Sequence, residues 1–381
     1  MSFSADWSYP TAIRFGAGRI RELADACKQA RIARPLFVTN RGLTDLEIGK
    51  RTLAVLDAAG LDYAICAEVE TNPSDANLDA GLRAYWDGDH DGVIAFGGGS
   101  GLDLGKLIAF MSGQILSVWD FVEGGERWKR ADDDTIAPIV AVPTAAGTGA
   151  EVTRVGALTD SYSQVKRNIS HPKLMPTVVI SDPELTTGLP LAITVGTGMD
   201  AFSHCLEAFC APYYHPMSHG IALEGMKLIK QNLPRVLADP EDIDARGQMM
   251  SAAAMGAVSL QKGLGAIHAL SHPINAVYNT HHGMTNAVLM HAVLAFNRPV
   301  IASRIETAAA YLGIAGGFDG FAAFLEKFTS DLGVPKTLGK LGVGADRLDE
   351  LAAMAAEDPM AAGNPRPLGK DDARALYETC L

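Results

Sequence analysis

Aspartate and histidine residues in the second half of the chain are spaced so that they can bind a metal ion. Asp200 and His204 are four residues apart, as are His268 and His272, so each pair lies on one face of a predicted helix. Two adjacent histidines follow about three turns later, His281 and His282. Carboxylate and imidazole groups that converge from separate helices form an N/O site suited to iron, zinc or manganese.

The same spacing also occurs in surface ion pairs and helix caps, so one pair alone does not define a metal site. Apolar residues flank Asp200 in the stretch GMDAFSHCLEAF, which indicates that its side chain is buried. A buried carboxylate needs hydrogen bonds or a positive partner, and a cation is such a partner. Spacing does not choose between His281 and His282. The other histidines fit loop, packing or surface positions: His90, His171, His215, His219 and His291.

A glycine-rich stretch, GGGSGLDLGK at residues 97–106, follows an apolar run and opens a predicted helix. Glycines let the backbone approach a phosphate closely, and a helix start offers free N–H donors. Ser100 can add a hydroxyl donor or cap the helix. Asp103 and Lys106 follow within about two turns, so we expect them to meet polar parts of a bound nucleotide. The stretch matches neither the Walker A pattern nor GxGxxG, and a tight turn without a ligand would explain it too.

A second glycine loop, PTAAGTGAE at residues 143–151, also follows a predicted strand. Thr144 and Thr148 can donate hydroxyl hydrogen bonds to a ribose or a pyrophosphate. Two such loops at the carboxyl ends of parallel strands are typical of a doubly wound sheet that binds a dinucleotide.

The elements that must position these residues differ between the two halves of the chain. Apolar runs predict strands at residues 35–40, 63–69, 92–96 and 138–144, and helical patterns lie between them. This alternation predicts an α/β domain with a parallel sheet over residues 1–185. Long helical segments follow, which predict an all-helical domain over residues 186–381. We expect a ligand cleft between the two domains.

Composition excludes several classes of function. The 381 residues carry a formal net charge of −12 without a long basic run, which argues against binding to nucleic acid or to anionic membranes. The sequence has no stretch long and apolar enough to cross a bilayer and no signal-peptide pattern at its start. The five cysteines form no CxxC pair, so we expect a cytoplasmic protein.

Taken together, the motifs strongly resemble those of the iron-containing alcohol dehydrogenase family. The similarity runs from TAIRFGAG at residues 11–18 to NPRPL at residues 364–368. Its diagnostic stretches are GGGSGLDLGK, PTAAGTGAEVT, DPELT, GMDAFSHCLEAF and HALSHPINAVYNTHHGMTNAVLM. The resemblance implies a dinucleotide-binding N-terminal domain, a helical C-terminal domain and a divalent metal, with Fe²⁺ expected and Zn²⁺ as the alternative.

The resemblance also assigns roles to individual residues. It implies the metal ligands Asp200, His204, His268 and His282. It places His272 near the nicotinamide and the substrate, where it would relay the hydroxyl proton. It implies cofactor contacts at Gly98, Gly99, Ser100, Thr144, Thr148 and Lys166.

Two positions depart from the family pattern. Many members that use NAD have an aspartate at the end of the second strand to bind the adenine ribose, where this chain has Asn40. A neutral amide neither repels nor attracts a 2′-phosphate strongly, and Arg41 beside it could favour that phosphate, so both NAD and NADP are open. The second departure is His291, where the family often has proline.

These features predict an NAD(P)-linked, metal-dependent dehydrogenase that acts on a small primary alcohol, diol or hydroxy acid, or reduces the aldehyde. We expect a homodimer or a higher homo-oligomer. Enzymes resembling glycerol dehydrogenase or dehydroquinate synthase are the alternative within the same superfamily. A nucleotide-binding protein that has lost catalysis is the alternative from another class.

Overall fold

The structure is a computed structural model that describes residue 9 and residues 11–70, 72–163 and 165–381. The chain forms two compact units, Tyr9–Gly188 and Leu189–Leu381. The sequence placed this boundary between residues 185 and 186.

The first unit is built on a sheet of six parallel strands in the order β1-β8-β5-β4-β2-β3. Short apolar runs form these strands because a parallel sheet is covered on both faces. The six strands are β1 (Ala12–Phe15), β2 (Pro35–Asn40), β3 (Ala64–Val69), β4 (Gly92–Gly97), β5 (Ile139–Pro143) and β8 (Val178–Ser181).

Side chains of the central strands alternate between two hydrophobic cores, one on each face of the sheet. In β4, Val93 and Ala95 belong to one core, whereas Ile94 and Phe96 belong to the other. Helices supply the rest of each core, as the alternation of strands and helices predicted. They are α1 (Leu23–Gln29), α2 (Glu47–Ala58), α3 (Asp75–Asp87) and α4 (Gly99–Met111).

Strand order changes direction between β2 and β4. The chain runs from β2 outward to the edge strand β3 and then returns to place β4 on the other side of β2. In doubly wound sheets, ligands bind beyond the carboxyl ends of the strands at such a switch point. Asn40 ends β2 and Gly97 ends β4, so the predicted cofactor loop begins where the topology favours a ligand.

Some strands of this unit were not predicted from the sequence. They include β1, β8 and an antiparallel pair that forms a separate two-stranded sheet, β6 (Val155–Thr159) and β7 (Lys166–Ser170). The described residues of β1 are mostly exposed, so the strand lacks the apolar run by which the others were recognised.

The second unit is helical throughout the residues that the structure describes. It comprises α5 (Leu191–Cys210), α6 (Pro216–Ala238), α7 (Ile243–Ser259), α8 (Ala266–Tyr278), α9 (His282–Tyr311), α10 (Gly317–Asp331), α11 (Leu348–Glu357) and α12 (Lys370–Cys380), joined by turns and short 3₁₀ segments. No described helix combines the length and the apolar character needed to cross a membrane.

Helix α5 lies at the centre of this unit and is buried along most of its length. A helix that is apolar on all sides must pack against neighbours on all sides, and α5 packs against α6, α7 and α9. Its last carbonyl groups would be unpaired inside the protein. Lys262 Nζ donates to the Ala208 and Phe209 carbonyls at 3.0 and 2.9 Å. Arg304 donates to the next two carbonyls, that of Cys210 and, at 2.6 Å, that of Ala211. Two basic side chains therefore hold the carboxyl end of α5.

Candidate functional site

The side chain of Asp200 lies at the centre of a buried polar cluster on α5. His204 is one turn further along the same helix, and its Nε2 atom lies 3.7 Å from Asp200 Oδ1. His268, in the first turn of α8, brings its Nε2 atom to 3.8 Å from the same oxygen. The three side chains each offer a ligand atom within 4.8 Å of the other two. The two segments that the spacing singled out thus converge on one carboxylate.

The structure also distinguishes between the adjacent histidines. His282 Nε2 lies 3.4 Å from Asp200 Oδ1, so this ring faces the cluster. His281 instead precedes α9 as its N-cap, where its Nδ1 atom accepts a hydrogen bond from the Met284 backbone N–H at 3.4 Å. The candidate metal ligand is therefore His282, and His281 begins the helix that carries it.

The separations within the cluster fit a shared cation. Ligands about 2.0–2.2 Å from one ion are roughly 3.3–3.6 Å apart when their arrangement is tetrahedral. The three imidazole nitrogens lie 3.4–3.8 Å from Asp200 Oδ1, close to that range. One carboxylate and three imidazoles make an N/O donor set without thiolates, as iron and zinc sites can have.

Hydrogen bonds at the far side of two rings direct their Nε2 atoms toward Asp200. His268 Nδ1 lies 2.6 Å from Glu207 Oε2, and His282 Nδ1 lies 2.7 Å from Asn275 Oδ1. The Asn275 amide nitrogen donates to Thr280 Oγ1, which assigns the acceptor oxygen to the side of His282. Such partners fix the ring orientation and the tautomer of histidines that bind metals.

Asn286 links the members of the cluster from α9. Its amide nitrogen lies 2.8 Å from Asp200 Oδ1 and donates a hydrogen bond to it. The same nitrogen lies 3.3 Å from His268 Nε2 and 3.2 Å from His282 Nε2. The amide oxygen is buried and has no hydrogen-bond partner among the residues that the structure describes. An unsatisfied polar atom at this place is a further sign that the cluster is arranged for an additional group.

The electrostatics of the cluster favour positive charge. Burial acts to raise the pKa of Asp200, but the imidazoles of His204, His282 and His268 outweigh it and hold that pKa well below its ordinary value. Burial acts to lower the pKa of His268, but the Glu207 and Asp200 carboxylates outweigh it and raise that pKa to about 9. Two buried carboxylates among imidazoles thus stabilise a cation at this position.

His272 lies beside the cluster and faces a different partner. Its ring is stacked on that of His282, with centroids 5.7 Å apart, but its Nδ1 atom lies 2.9 Å from Asp358 Oδ2. Asp358 is held in turn by the Met360 backbone N–H, which donates to Oδ1 at 2.8 Å. The side chain of His272 is 27% exposed and that of His282 is 35% exposed, against 2% for His268. His272 and His282 therefore form the more exposed side of the cluster.

In the α/β unit, the two glycine loops lie next to each other. Gly98 is the N-cap of α4, and Gly99 is the first residue of the helix. A Cβ atom on Gly99 would lie 2.6 Å from Thr148 Oγ1, so glycine is needed for this approach. Thr144 is buried and donates its backbone N–H to the Gly97 carbonyl at 2.9 Å. Ser100, in the first turn of α4, is half-buried.

Asn40 lies against the same loop. A Cβ atom on Gly97 would lie 2.8 Å from Asn40 Oδ1, and one on Gly101 would lie 2.9 Å from it. Arg41 forms an ion pair with Glu68 at the end of β3, and both side chains are mostly exposed. The residues predicted to contact the adenine ribose and the pyrophosphate are thus neighbours.

Asp103 and Lys166 are near each other, whereas Lys106 is used elsewhere. Burial raises the pKa of Asp103, and the charges of Lys106 and Lys166 act against that shift. Lys106 is fully buried, and its ammonium group donates to the Ala150 carbonyl at 2.8 Å and to other acceptors nearby. The expectation that Lys106 meets a nucleotide is therefore wrong, because its donors hold the second glycine loop in place.

Sequence reasoning missed four residues that support the cluster: Glu207, Asn275, Asn286 and Asp358. Glu207 gave the clearest signal, since it is a charged residue within the apolar run CLEAF of a predicted buried helix. The two asparagines and Asp358 carry no charge within an apolar run, so they gave no comparable signal.

A parallel sheet with paired glycine loops, together with a buried carboxylate–imidazole cluster, defines the class of metal-dependent oxidoreductases that use a nucleotide cofactor. The sequence model described as iron-containing alcohol dehydrogenase matches residues 10–183, and the model for the C-terminal domain of that family matches residues 194–381. The chain belongs to the iron-containing alcohol dehydrogenase family.

Similar proteins support this assignment over the whole length. The chain is 36% identical to 4-hydroxybutyrate dehydrogenase from Cupriavidus necator, with 98% of this chain and 99% of the relative covered. It is 32% identical to NAD-dependent methanol dehydrogenase from Bacillus methanolicus, with 98% of each covered. A crystal structure of 1,3-propanediol oxidoreductase matches with a TM-score of 0.94 and 30% identity, covering 99% of this chain and 100% of that one. The protein is an NAD(P)-linked, metal-dependent alcohol dehydrogenase.

The two adjacent histidines provide a matched pair of variants. We expect His282→Ala to weaken metal binding strongly, because its Nε2 atom faces Asp200. We expect His281→Ala to retain the metal and to lose about 1 kcal/mol of stability, the usual effect of removing an N-cap. Metal content after dialysis and chemical denaturation measure the two effects. Retention of metal by His282→Ala, or its loss from His281→Ala, would reverse the assignment.

Proposed function

We propose that the protein interconverts a short ω-hydroxy acid, diol or primary alcohol with its aldehyde, using NAD and Fe²⁺, and that Zn²⁺ can replace the iron. The observation that carries this proposal is the convergence of three imidazole nitrogens on Asp200 Oδ1. Asp200, His204, His268 and His282 would hold the cation. The bound cation would supply Lewis-acid polarisation of the substrate oxygen, and the bound nicotinamide would supply hydride exchange with the substrate carbon.

Other residues of the chain bind the cofactor and transfer the proton. The glycine loops and their hydroxyl groups bind the cofactor through Gly98, Gly99, Ser100, Thr144 and Thr148, and Asn40, Asp103 and Lys166 contribute from nearby positions. His272 exchanges the hydroxyl proton at Nε2, because its Nδ1 atom is hydrogen-bonded to Asp358. The cytoplasmic location and the homo-oligomeric state expected from the sequence stay predictions.

The substrate class is proposed from the relatives. A relative that shares 36% identity is a 4-hydroxybutyrate dehydrogenase, and others at 31% identity are 1,3-propanediol dehydrogenases. These substrates are short chains with a primary alcohol at one end and a second polar group at the other. We therefore propose that the protein accepts such bifunctional alcohols.

Removing and restoring the metal tests the proposed function. We expect chelated protein to lose its activity and to keep its affinity for NAD, because the cofactor loops belong to the α/β unit. Reloading with Fe²⁺ or Zn²⁺ should restore the oxidation of 4-hydroxybutyrate and 1,3-propanediol, followed as accumulation of NADH. That accumulation also excludes a lyase that uses the cofactor only transiently. Full activity in metal-free protein would contradict the metal role, and failure of the reloaded protein to oxidise either 4-hydroxybutyrate or 1,3-propanediol would contradict the substrate class.

Replacing His272 tests the path of the proton. We expect His272→Ala to lower kcat about 10²–10⁴-fold, the usual contribution of a general acid or base, while metal content and NAD affinity stay unchanged. Added imidazole should restore part of the rate. His291→Ala is the control, since His291 Nε2 pairs with Thr329 Oγ1 and not with the cluster. An unchanged kcat in His272→Ala would remove this residue from the proton path.

The preference for NAD is proposed from the charges around Asn40. An arginine at the end of the second strand can accommodate the 2′-phosphate of NADP. Here Glu68 pairs with Arg41 and compensates its charge. We expect Glu68→Gln to lower KM for NADP about 2- to 5-fold, a size typical of exposed ion pairs, with little change for NAD. Asp25→Asn removes the same charge from α1 and should alter neither KM. An unchanged KM for NADP in Glu68→Gln would show that Arg41 does not act on the cofactor.

A further inference from the structure

Glu207 lies behind the candidate metal cluster and uses each of its two carboxylate oxygens for a different hydrogen bond. The residue is on α5, is buried, and has an exposed fraction of 6%. Its Oε1 atom accepts from the Ile267 backbone N–H at 2.6 Å, and its Oε2 atom accepts from His268 Nδ1 at 2.6 Å. Both bonds are short, as expected for donors that face a charged acceptor.

The hydrogen bond from the Ile267 N–H caps the start of α8 with a side chain from another helix. The N-cap position of α8 is Gly265, which has no side chain to accept from the free N–H groups of the first turn. Asn364 Oδ1 accepts from Ala266 at 3.1 Å, and Glu207 accepts from Ile267. A Cβ atom at Gly265 would lie 3.0 Å from Glu207 Oε1 and 2.9 Å from Asn364 Oδ1. Glycine therefore makes room for caps that come from distant parts of the chain.

The second hydrogen bond determines which nitrogen of His268 is available. An ionised carboxylate only accepts hydrogen bonds, so the proton of this bond is on His268 Nδ1. In the neutral ring the lone pair is then on Nε2, the atom that lies 3.8 Å from Asp200 Oδ1. If His268 Nδ1 lost its proton, this nitrogen and the carboxylate oxygen would both be acceptors, and the hydrogen bond between them would be lost.

We propose that Glu207 is a positioning residue that couples the start of α8 to the tautomer of His268 and so sets the metal affinity of the site. The inference rests on the proposed metal role of His268. The two donors, an N–H of α8 and an N–H of the ring, converge on one side chain and require two acceptors. A carboxylate supplies both, whereas an amide of the same size supplies one acceptor and one donor.

Glu207→Gln tests this coupling without changing the volume of the side chain. If the glutamine oxygen accepts from Ile267, its NH₂ group faces His268 Nδ1 and drives the proton to Nε2, where it blocks metal binding. If the amide is reversed, its NH₂ group faces the Ile267 N–H, and the first turn of α8 loses a cap. The first orientation therefore gives the wrong tautomer of His268, and the second leaves the Ile267 N–H without an acceptor.

The experiment measures zinc affinity by competition with a chelator in the full-length protein. We expect Glu207→Gln to bind Zn²⁺ about 10- to 100-fold more weakly than the natural chain, the usual effect of losing the partner of a ligating histidine. Asn364→Ala, which removes the other cap of α8 without touching His268, should bind Zn²⁺ with little change. Asp242→Asn is the matched control, because Asp242 caps α7 through a hydrogen bond from Ala245 at 3.0 Å.

Ring-nitrogen chemical shifts of ¹⁵N-histidine-labelled, zinc-bound protein report the tautomer directly. We expect the His268 signals of the natural chain to show a protonated Nδ1 and a zinc-bound Nε2, and those of Glu207→Gln to lose that pattern. Natural affinity in Glu207→Gln would overturn the inference, as would an equal loss of affinity in Asn364→Ala. A natural chain that binds no zinc or iron would instead overturn the proposed function, and the inference with it.

Discussion

The helical unit depends on the burial of one carboxylate, that of Asp200. An ionised carboxylate inside a protein is costly unless charges and donors surround it, and here the three imidazoles and the amide of Asn286 do so. The rings of His268 and His282 come from the first turns of α8 and α9, where the helix dipoles contribute positive potential. The starts of these helices therefore lie beside the carboxylate that would hold a cation.

The capping arrangements of the unit serve this interaction. Lys262 and Arg304 hold the carboxyl end of α5, and Glu207 joins α5 to the start of α8. His281 is the N-cap of α9 and directly precedes His282, whose ring faces Asp200. The caps of α5 and α8 come from other segments of the chain, so they join the helices that carry the candidate ligands.

Much of the fold was predictable because its signals are local. Strands β2, β4 and β5 are apolar runs that end at asparagine, glycine and proline, and the helices of this part of the chain show a regular period. Strand β1 and the β6–β7 pair were missed because their side chains are partly exposed, so pairing rather than an apolar run makes them strands. The choice of strand order is a tertiary effect that a local pattern does not contain.

The candidate site was predictable in part for the same reason. Helical spacing identified Asp200 with His204, because both are on one helix, but it could not separate His281 from His282. That choice depends on which of the two rings caps α9, and the direction of the backbone at the start of the helix decides this. Glu207 and His268 are 61 residues apart, and Asp358 and His272 are 86 apart, so these pairs have no local pattern. The prediction for Lys106 failed for a different reason. Its position in the glycine-rich motif is favourable for a nucleotide contact, but the motif did not reveal that its ammonium group is hydrogen-bonded inside the protein.

Burial limits the reactivity of the cysteine side chains toward the product of the reaction. All five lie in the described residues as free, buried thiols: Cys27, Cys66, Cys205, Cys210 and Cys380. Burial raises the pKa of Cys205 and Cys210, the two on α5, to about 12, so the nucleophilic thiolate is scarce at neutral pH. An aldehyde product, an electrophile that thiolates attack, therefore finds no ready target in these side chains.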